Sequence, residues 1–491
     1  MRIALAAAVL LGGVSVAEAA PPEVRVGGFA AFDHHQYVLD MPDAVRATTM
    51  LRLAPRVRAR YKLLRAAAEV EFRHDFGDPG RGGRVILREA TLGIQHKGFR
   101  LEGGALQERW GKMDVASPTD TFMVPDYEEL FFPEPLPVPG IVLGYARGPV
   151  SVKGVFVPAF RPARFRHAAP SRWDMTRFLP ETQQVPLPLA GEYDVPLNYQ
   201  EFLDGTPTGA SDAIGRGFEG GIRLDLFLPS ADVGFSFSTV HDRLPTWTDF
   251  EATNDLAGFF TGEEEGGIDA IHADLRIDPR HARLFVPGFD VAVNAGPLVL
   301  RGEVAGFLTE DMQHESDLID DPYIKYAAGV ELMLQNVVGN FDLAIRAQYN
   351  GDVEIRKDGD DVLNADADAT LVVSADPERE ELQATDYERG STAVGAIRHP
   401  YKHAVYWNVN LGFTDELSLD LRGFVGLHGP DTLLGGDPRA PSVLFTGKLA
   451  YLFLDRFEVS GGWMVIRGAE GTLFAPYRDN HRVELGLRYN F

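Results

Sequence analysis

Arg52, Arg56, Arg58, Arg60 and Lys62 share one parity of a short stretch, while Thr49, Leu51, Leu53, Val57, Ala59 and Tyr61 share the other. In an extended strand this spacing makes one cationic and one apolar face. The next stretch sets Glu69, Glu71, Arg73 and Asp75 against Ala68, Val70 and Phe72, and a later one sets Arg100, Glu102 and Glu108 against Leu101 and Ala105. An arginine facing lipid near a bilayer midplane costs about 2–4 kcal/mol, so a row of them belongs in a polar interior. Rows of Arg and Glu on neighbouring strands either pair to stiffen a wall or set a transverse field in a wet passage. Both uses are open at this level. The chemistry is charge selection or wall pairing, with no bond-making step.

Other chemistry finds little support. His34, His35, His272, His281, His399 and His403 are scattered, with no Gly-rich nucleophile turn nearby, so no catalytic site is expected. Asn364, Asp366 and Asp368 have the odd-position spacing of a calcium loop, but Ala369 stands where that loop needs Gly. A solvated acidic loop is the expectation there, with loose divalent-cation binding as the alternative. The absence of cysteine removes disulfides, thiolate metal sites and cysteine nucleophiles together. No phosphate-cradling loop is present and no cofactor is expected. A formal net charge of −24 argues against a nucleic-acid partner. Most of that excess lies in three segments, 241–267, 309–323 and 351–401, which lack strand alternation.

The elements that must carry these faces are strands. Period two recurs along the chain, as in Val405, Trp407, Val409, Leu411 and Phe413, or Phe457, Val459, Gly461, Trp463 and Val465. Tight turns are expected near Leu64, Lys97, Gly148, Pro229, Gly296, Val338, Asp415 and Asp455. They alternate with long polar segments at 39–47, 77–83, 111–139, 159–216, 241–267, 309–323, 351–401, 429–441 and 468–480. Eight turns and nine loops make seventeen connections, hence an all-β chain of about 18 strands, with 16 as the alternative. An even number with short and long connections alternating predicts a transmembrane antiparallel up-and-down β-barrel. Residues 268–295 must then be one strand despite Pro279 and Pro287, which implies a bulge or an excursion at the rim. After Val16 no apolar run is long enough for a membrane helix, and alternation hides barrel hydrophobicity from average hydropathy.

The two ends fit this architecture. Met1 and Arg2 precede an apolar run, Ile3–Val16, and a small-x-small site at Ala17–Ala19, so residues 1–19 read as a secretory signal peptide and 20–491 as a single barrel domain. At the other end Val483, Leu485, Leu487, Tyr489 and Phe491 alternate with Arg482, Glu484, Arg488 and Asn490. This resembles the C-terminal signature of bacterial outer-membrane barrels, which implies that Tyr489 and Phe491 act as an assembly signal.

Two loops are long enough to enter a barrel. Residues 111–139 carry Asp114, Asp120, Asp126, Glu128, Glu129 and Glu134 with Phe131, Phe132 and four prolines between 133 and 139, a stiff acidic segment suited to a constriction folded inwards. Residues 159–216 begin basic, with Arg161, Arg164, Arg166, His167, Arg172 and Arg177. Planar guanidinium forks there suit lipopolysaccharide phosphates or the acidic loop at the mouth.

The segments Leu87–Leu92 (LREATL), Gln107–Asp114 (QERWGKMD) and Ser117–Asp120 (SPTD) resemble an uncharacterised family of porin-like bacterial outer-membrane barrels, with Arg88, Glu89, Trp110, Gly111, Pro118 and Asp120 at the matching positions. Pro133–Pro139 echoes that family's proline-rich stretch. The resemblance covers roughly residues 85–145. It implies a Gram-negative outer-membrane channel, exported through the periplasm, inserted by the barrel-assembly machinery and surrounded by lipid and lipopolysaccharide. The solutes are then small, and a homo-oligomer is open. On this reading the lumen is lined by Arg52, Arg56, Arg58, Arg60, Glu69, Glu71, Arg73, Arg100 and Glu102. Solute is expected to pass between the Arg52–Arg60 wall and a constriction made from loops 111–139 and 159–216, with Asp114, Asp120, Asp126 and Glu128 on the first. The alternative is a non-conducting barrel with a loop-capped lumen and a surface-binding or assembly role.

Overall fold

The computed structural model describes residues 21–41, 44–77, 83–129, 131–165, 171–173, 182–187, 191–198, 217–244, 246–253, 273–310, 312, 322–337, 339, 341–355, 373–376, 381–384, 403–428, 442–468 and 474–491. The expected signal peptide, Arg166, His167, Arg177 and the calcium-like spacing at Asn364–Asp368 lie outside the described residues.

Eighteen strands form one closed antiparallel sheet. In chain order they are β1 (Glu23–Tyr37), β2 (Ala47–Tyr61), β3 (Leu64–Asp75), β4 (Arg84–His96), β5 (Phe99–Leu106) and β6 (Val138–Arg147). There follow β7 (Val150–Val157), β8 (Glu219–Phe227), β9 (Ala231–His241), β10 (Arg283–Ala295), β11 (Leu298–Thr309) and β12 (Tyr323–Leu334). The last six are β13 (Asp342–Glu354), β14 (His403–Gly412), β15 (Leu417–His428), β16 (Ser442–Phe453), β17 (Phe457–Arg467) and β18 (Arg482–Asn490). Each strand pairs with its neighbours in sequence, and β1 pairs with both β2 and β18. Closure leaves no sheet edge along the paired length, which is the condition for a strand structure in hydrocarbon.

The register turns alternation into two surfaces. Leu51, Leu53, Val57, Phe72, Leu143, Phe156, Phe235 and Leu487 point outwards and are exposed. Their alternate neighbours face the lumen. A ring of exposed aromatics marks the turn end: Phe99 lies opposite Tyr145, Phe453 opposite Phe457, and Phe457 opposite Tyr489. Such a girdle suits a membrane–water interface. Phe491 closes the seam with its main chain, accepting from Gly28 N at 2.9 Å and donating to Gly28 O at 3.1 Å. Gly28 has φ +148°, and a Cβ there would lie 2.2 Å from Ala54 O, so the seam requires glycine.

The tight connections fall where the turn chemistry predicts, the first at Lys62–Leu63, just before the expected Leu64. Residues 268–295 differ from expectation. Ala273–Arg280 belongs to a separate six-stranded sheet built from segments of three long loops, and only Arg283–Ala295 enters the barrel. The ladder from β10 to β11 skips Val286 and Pro287, as a residue without N–H demands. The barrel count is unchanged because the extra strand pairs elsewhere.

Candidate functional site in the barrel lumen

Residues 107–137, between β5 and β6, run through the lumen. Proline at 125, 133, 135 and 137 denies this segment a long ladder, so it makes only two short strands, Val124–Tyr127 and Glu134–Leu136. The first also pairs in parallel with Arg164–Phe165 of the following loop. Trp110, Phe122, Val124 and Leu136 pack against Ile86, Val138, Val142, Val155, Val157, Val240, Leu284 and Val286 of the wall, all buried. The segment therefore has its own apolar core inside the barrel, which is what draws it inwards.

Charge anchors its other face. Glu71, with only 2% of its side chain exposed, accepts from Arg52 Nε at 2.7 Å, Arg73 Nε at 3.0 Å and Arg88 Nε at 2.7 Å. Arg73 donates onwards to Glu128 at 2.7 Å and to Glu134 at 2.6 Å. Arg84 pairs with Glu128, and Arg52 and Arg88 pair with Glu134. Four arginines of the wall thus share three carboxylates, two of them from the segment. Consecutive residues Glu69 and Val70 of β3 stand opposite Glu89 and Leu87, so Arg88 is the extra residue of a β-bulge on β4, and Arg88 and Glu89 both reach carboxylate or guanidinium partners on the lumenal side. Burial works against the charge on Glu134, but Arg73, Arg52 and Arg88 outweigh it and hold its carboxyl down at about 2.

Further along, Asp120 accepts from the main-chain N–H groups of Trp110 and Gly111 and from Arg109. Glu303 of β11 accepts from Lys112 N, from Met113 N at 2.7 Å, from Ser117 Oγ at 2.6 Å and from Thr119 Oγ1 at 3.1 Å. Gln348 of β13 donates to Ala116 O at 2.7 Å and accepts from Val115 N at 3.3 Å. The tip of the segment is thereby fixed to the wall opposite β2–β4. Lys153 of β7 pairs with Glu108, Arg164 with Asp126, and Arg482 of β18 with Glu129 at 3.1 Å.

A lane borders the tip. A cavity of about 250 Å³ is lined by Met113 and Asp114 of the segment and by Arg301, Arg346, Asn408 and Arg422 from β11, β13, β14 and β15. Arg301 donates to Asp114 at 2.7 Å and pairs with Glu331, which also accepts from Arg346 Nε at 2.7 Å. Arg346 Nη1 donates to Asn408 Oδ1 at 3.1 Å, and Asn408 Nδ2 donates to Asp420 at 3.1 Å. Arg422 holds Asp420 at 2.6 Å through Nε and is 60% exposed. Asp114, Arg346 and Arg422 are part-exposed here, in contrast to the buried Glu71 and Arg73, while Glu331 is itself buried behind Arg301 and Arg346.

At the turn end lies a cationic vestibule. Arg56 pairs with Glu69, Arg58 lies 3.9 Å from Glu89, and Arg100 pairs with Glu102 at 2.7 Å. Arg60 stands directly opposite Arg65 in the register, both exposed. At the loop end Arg172 is buried and donates to the carbonyls of Leu39, Val45 and Asp479 while stacking 4.4 Å over Tyr37. Its neighbour Trp173 packs on Phe131, which stacks edge-on against Phe474 at 4.2 Å. Arg172 thus ties three loops together, and Arg161 and Arg164 contact the acidic segment through Pro137 O and Asp126.

These positions redistribute the residues singled out by sequence. Arg52, Glu71 and Arg73 lie beneath segment 107–137, so the segment sits on the arginine wall instead of across a passage from it. Arg56, Arg58, Arg60, Glu69, Arg100 and Glu102 face the vestibule. Asp120, Asp126 and Glu128 are buried anchors, and Asp114 alone of the four borders the lane. Tyr489 and Phe491 lie in the aromatic ring and the seam. Arg301, Glu303, Arg346, Gln348, Asn408 and Arg422 escaped the sequence reading, because single polar residues on an alternating strand carry no distinguishing local signal. The apolar half had one: β6 places Val138 and Val142 inwards, where they are buried, and Ile141 and Leu143 outwards, where they are exposed, and a strand apolar on its inward face as well needs an apolar partner inside the barrel.

No protein-family model and no curated protein sequence matches the chain. Among solved structures it is similar to OccK2 (OpdF) of Pseudomonas aeruginosa in complex with glucuronate, at 9% identity over 96% of this chain and 97% of that one, with a TM-score of 0.47. Acinetobacter baumannii OccAB4 is similar at 10% identity over 96% and 99%, TM-score 0.47. A mutant of the Rh. blastica porin is similar at 11% identity over 96% and 100%, TM-score 0.39.

Proposed function

We propose that this chain is a passive diffusion channel of the bacterial outer membrane for small hydrophilic solutes. The tight turns face the periplasm and the long loops the outside, where lipopolysaccharide surrounds the barrel. The observation that carries this reading is the lane beside Asp114. Segment 107–137 packs on the wall from β2 to β10, is tied at its tip to β11 and β13, and borders a charged, part-exposed cavity of about 250 Å³ lined by β11–β15. A barrel meant only as a scaffold has no use for a cavity lined by exposed ionised side chains, because apolar residues there would pack it shut without the cost of desolvating charge. The apolar outward face and the aromatic ring support membrane insertion. Arginines of the lane meeting Asp114 set the local field, and the vestibule arginines raise the local anion concentration.

The test is single-channel recording of the refolded, signal-free protein in planar bilayers. Discrete conductance steps are expected. Insertion without conduction would sink the channel reading and move the search to a loop-capped barrel with a binding or assembly role, tied at the mouth by Arg172 and Trp173.

A further inference from the structure

The lane already holds one carboxylate, and that one is removable. Asp120 and Asp126 have 1% of their side chains exposed, whereas Asp114 has 49%. Its Oδ2 lies 2.7 Å from Arg301 Nη1 and 3.8 Å from Arg346 Nε. The main chain on either side is held without it, by Glu303 at Met113 and by Gln348 at Val115 and Ala116. Rotation of this single side chain therefore uncovers two guanidinium groups while the segment stays in place. Arg301 and Arg346 also keep their positions, because both bind Glu331.

We propose that Asp114 is a tethered stand-in for the carboxylate of a small organic acid, which takes its place on Arg301 and Arg346. Planar guanidinium groups suit a carboxylate by paired hydrogen bonds. Arg422 and Asn408 stand next along the wall, where they receive the same group on release. Met113 supplies an apolar contact for the rest of the molecule. A tethered competitor keeps the acid weakly held, and conduction needs binding strong enough to admit a solute and weak enough to let it go. The part played in passage rests on the channel reading; the binding itself does not.

Equilibrium titration of detergent-refolded protein with benzoate, at fixed ionic strength and with benzamide as the uncharged control, tests the binding directly. Asp114→Asn removes the competitor and is expected to tighten benzoate about two- to fivefold, the scale of one half-exposed charge pair. Arg346→Gln is expected to weaken benzoate about tenfold, with benzamide unmoved by either change. Asp114→Ser serves as a second variant, and heat-modifiable mobility confirms that each barrel is folded. Unchanged benzoate affinity in both folded Asp114 variants overturns the proposal, as does benzoate binding no better than benzamide. Bilayer conductance is recorded separately, so a silent barrel that still binds benzoate refutes the channel and leaves the site standing.

Discussion

Glu71 and Asp114 both meet arginines inside the same barrel, and they differ in almost everything else. Glu71 is closed off, shared by Arg52, Arg73 and Arg88, and backed by an apolar core that ends at Phe122 and Leu136. Asp114 is half-exposed and touches the edge of a cavity. Charges taken out of water must be fully paired, and the shared carboxylates of the packed half meet that demand. Charges left in water can exchange partners. One lumen thus holds a closely packed half and a part-exposed half, and on the proposed channel reading the second does the selecting.

The largest expected effect comes from breaking the packed half. Glu71→Ala takes the shared carboxylate from Arg52, Arg73 and Arg88 and leaves only Glu128 and Glu134 to hold them, and loss of one partner in such a network costs about 3–5 kcal/mol. The thermal midpoint of the refolded barrel should fall and conductance should rise as segment 107–137 loosens. An unchanged midpoint would mean that Arg52, Arg73 and Arg88 are already solvated. Glu303→Ala is expected to cost about 2–4 kcal/mol, since it removes a charged acceptor from four donors at the tip. Its signature is open-channel noise more than a lower midpoint, because the core under the segment remains.

Acid should separate the halves. A carboxyl held at about 2 in the folded protein, against 4.5 ordinarily, contributes stability that is fully present above pH 4.5 and is lost as pH falls towards 2. Conductance noise should therefore stay flat down to that window and rise only inside it. A rise already at pH 6 would point to some group other than Glu134.

Charge reversal ranks the lane above the vestibule. Arg346→Glu with Arg422→Glu should turn ion preference towards cations by about tenfold, while Arg56→Glu with Arg58→Glu should shift it about two- to threefold. Equal shifts would place the selective point at the turn end. The smallest effect on stability is expected from deleting Phe491, which loses two main-chain bonds worth about 1 kcal/mol each. Refolding in vitro should persist, whereas assembly in cells should fail without loss of export. Normal cellular insertion would remove the terminal aromatic from the assembly signal.

Much of the barrel was determined by the sequence alone. Period two needs only neighbours two residues apart, and a turn needs only two to four, so the eighteen strands, the eight tight turns and the outward faces of β2 and β18 are local properties. The charged parity of β2 likewise had to face inwards, since lipid excludes it. Which lumenal charges meet, and which stay wet, was decided by tertiary structure. Met113 N finds Glu303 across 190 positions of chain, and Ala116 O finds Gln348 across 232. No local period encodes such a distance. Closing the barrel brings those walls to the segment, and the apolar surface of β6, β7 and β10 chooses the side on which it lands. That choice buries Arg73, covers most of Arg52, and leaves Arg346 and Arg422 part-exposed.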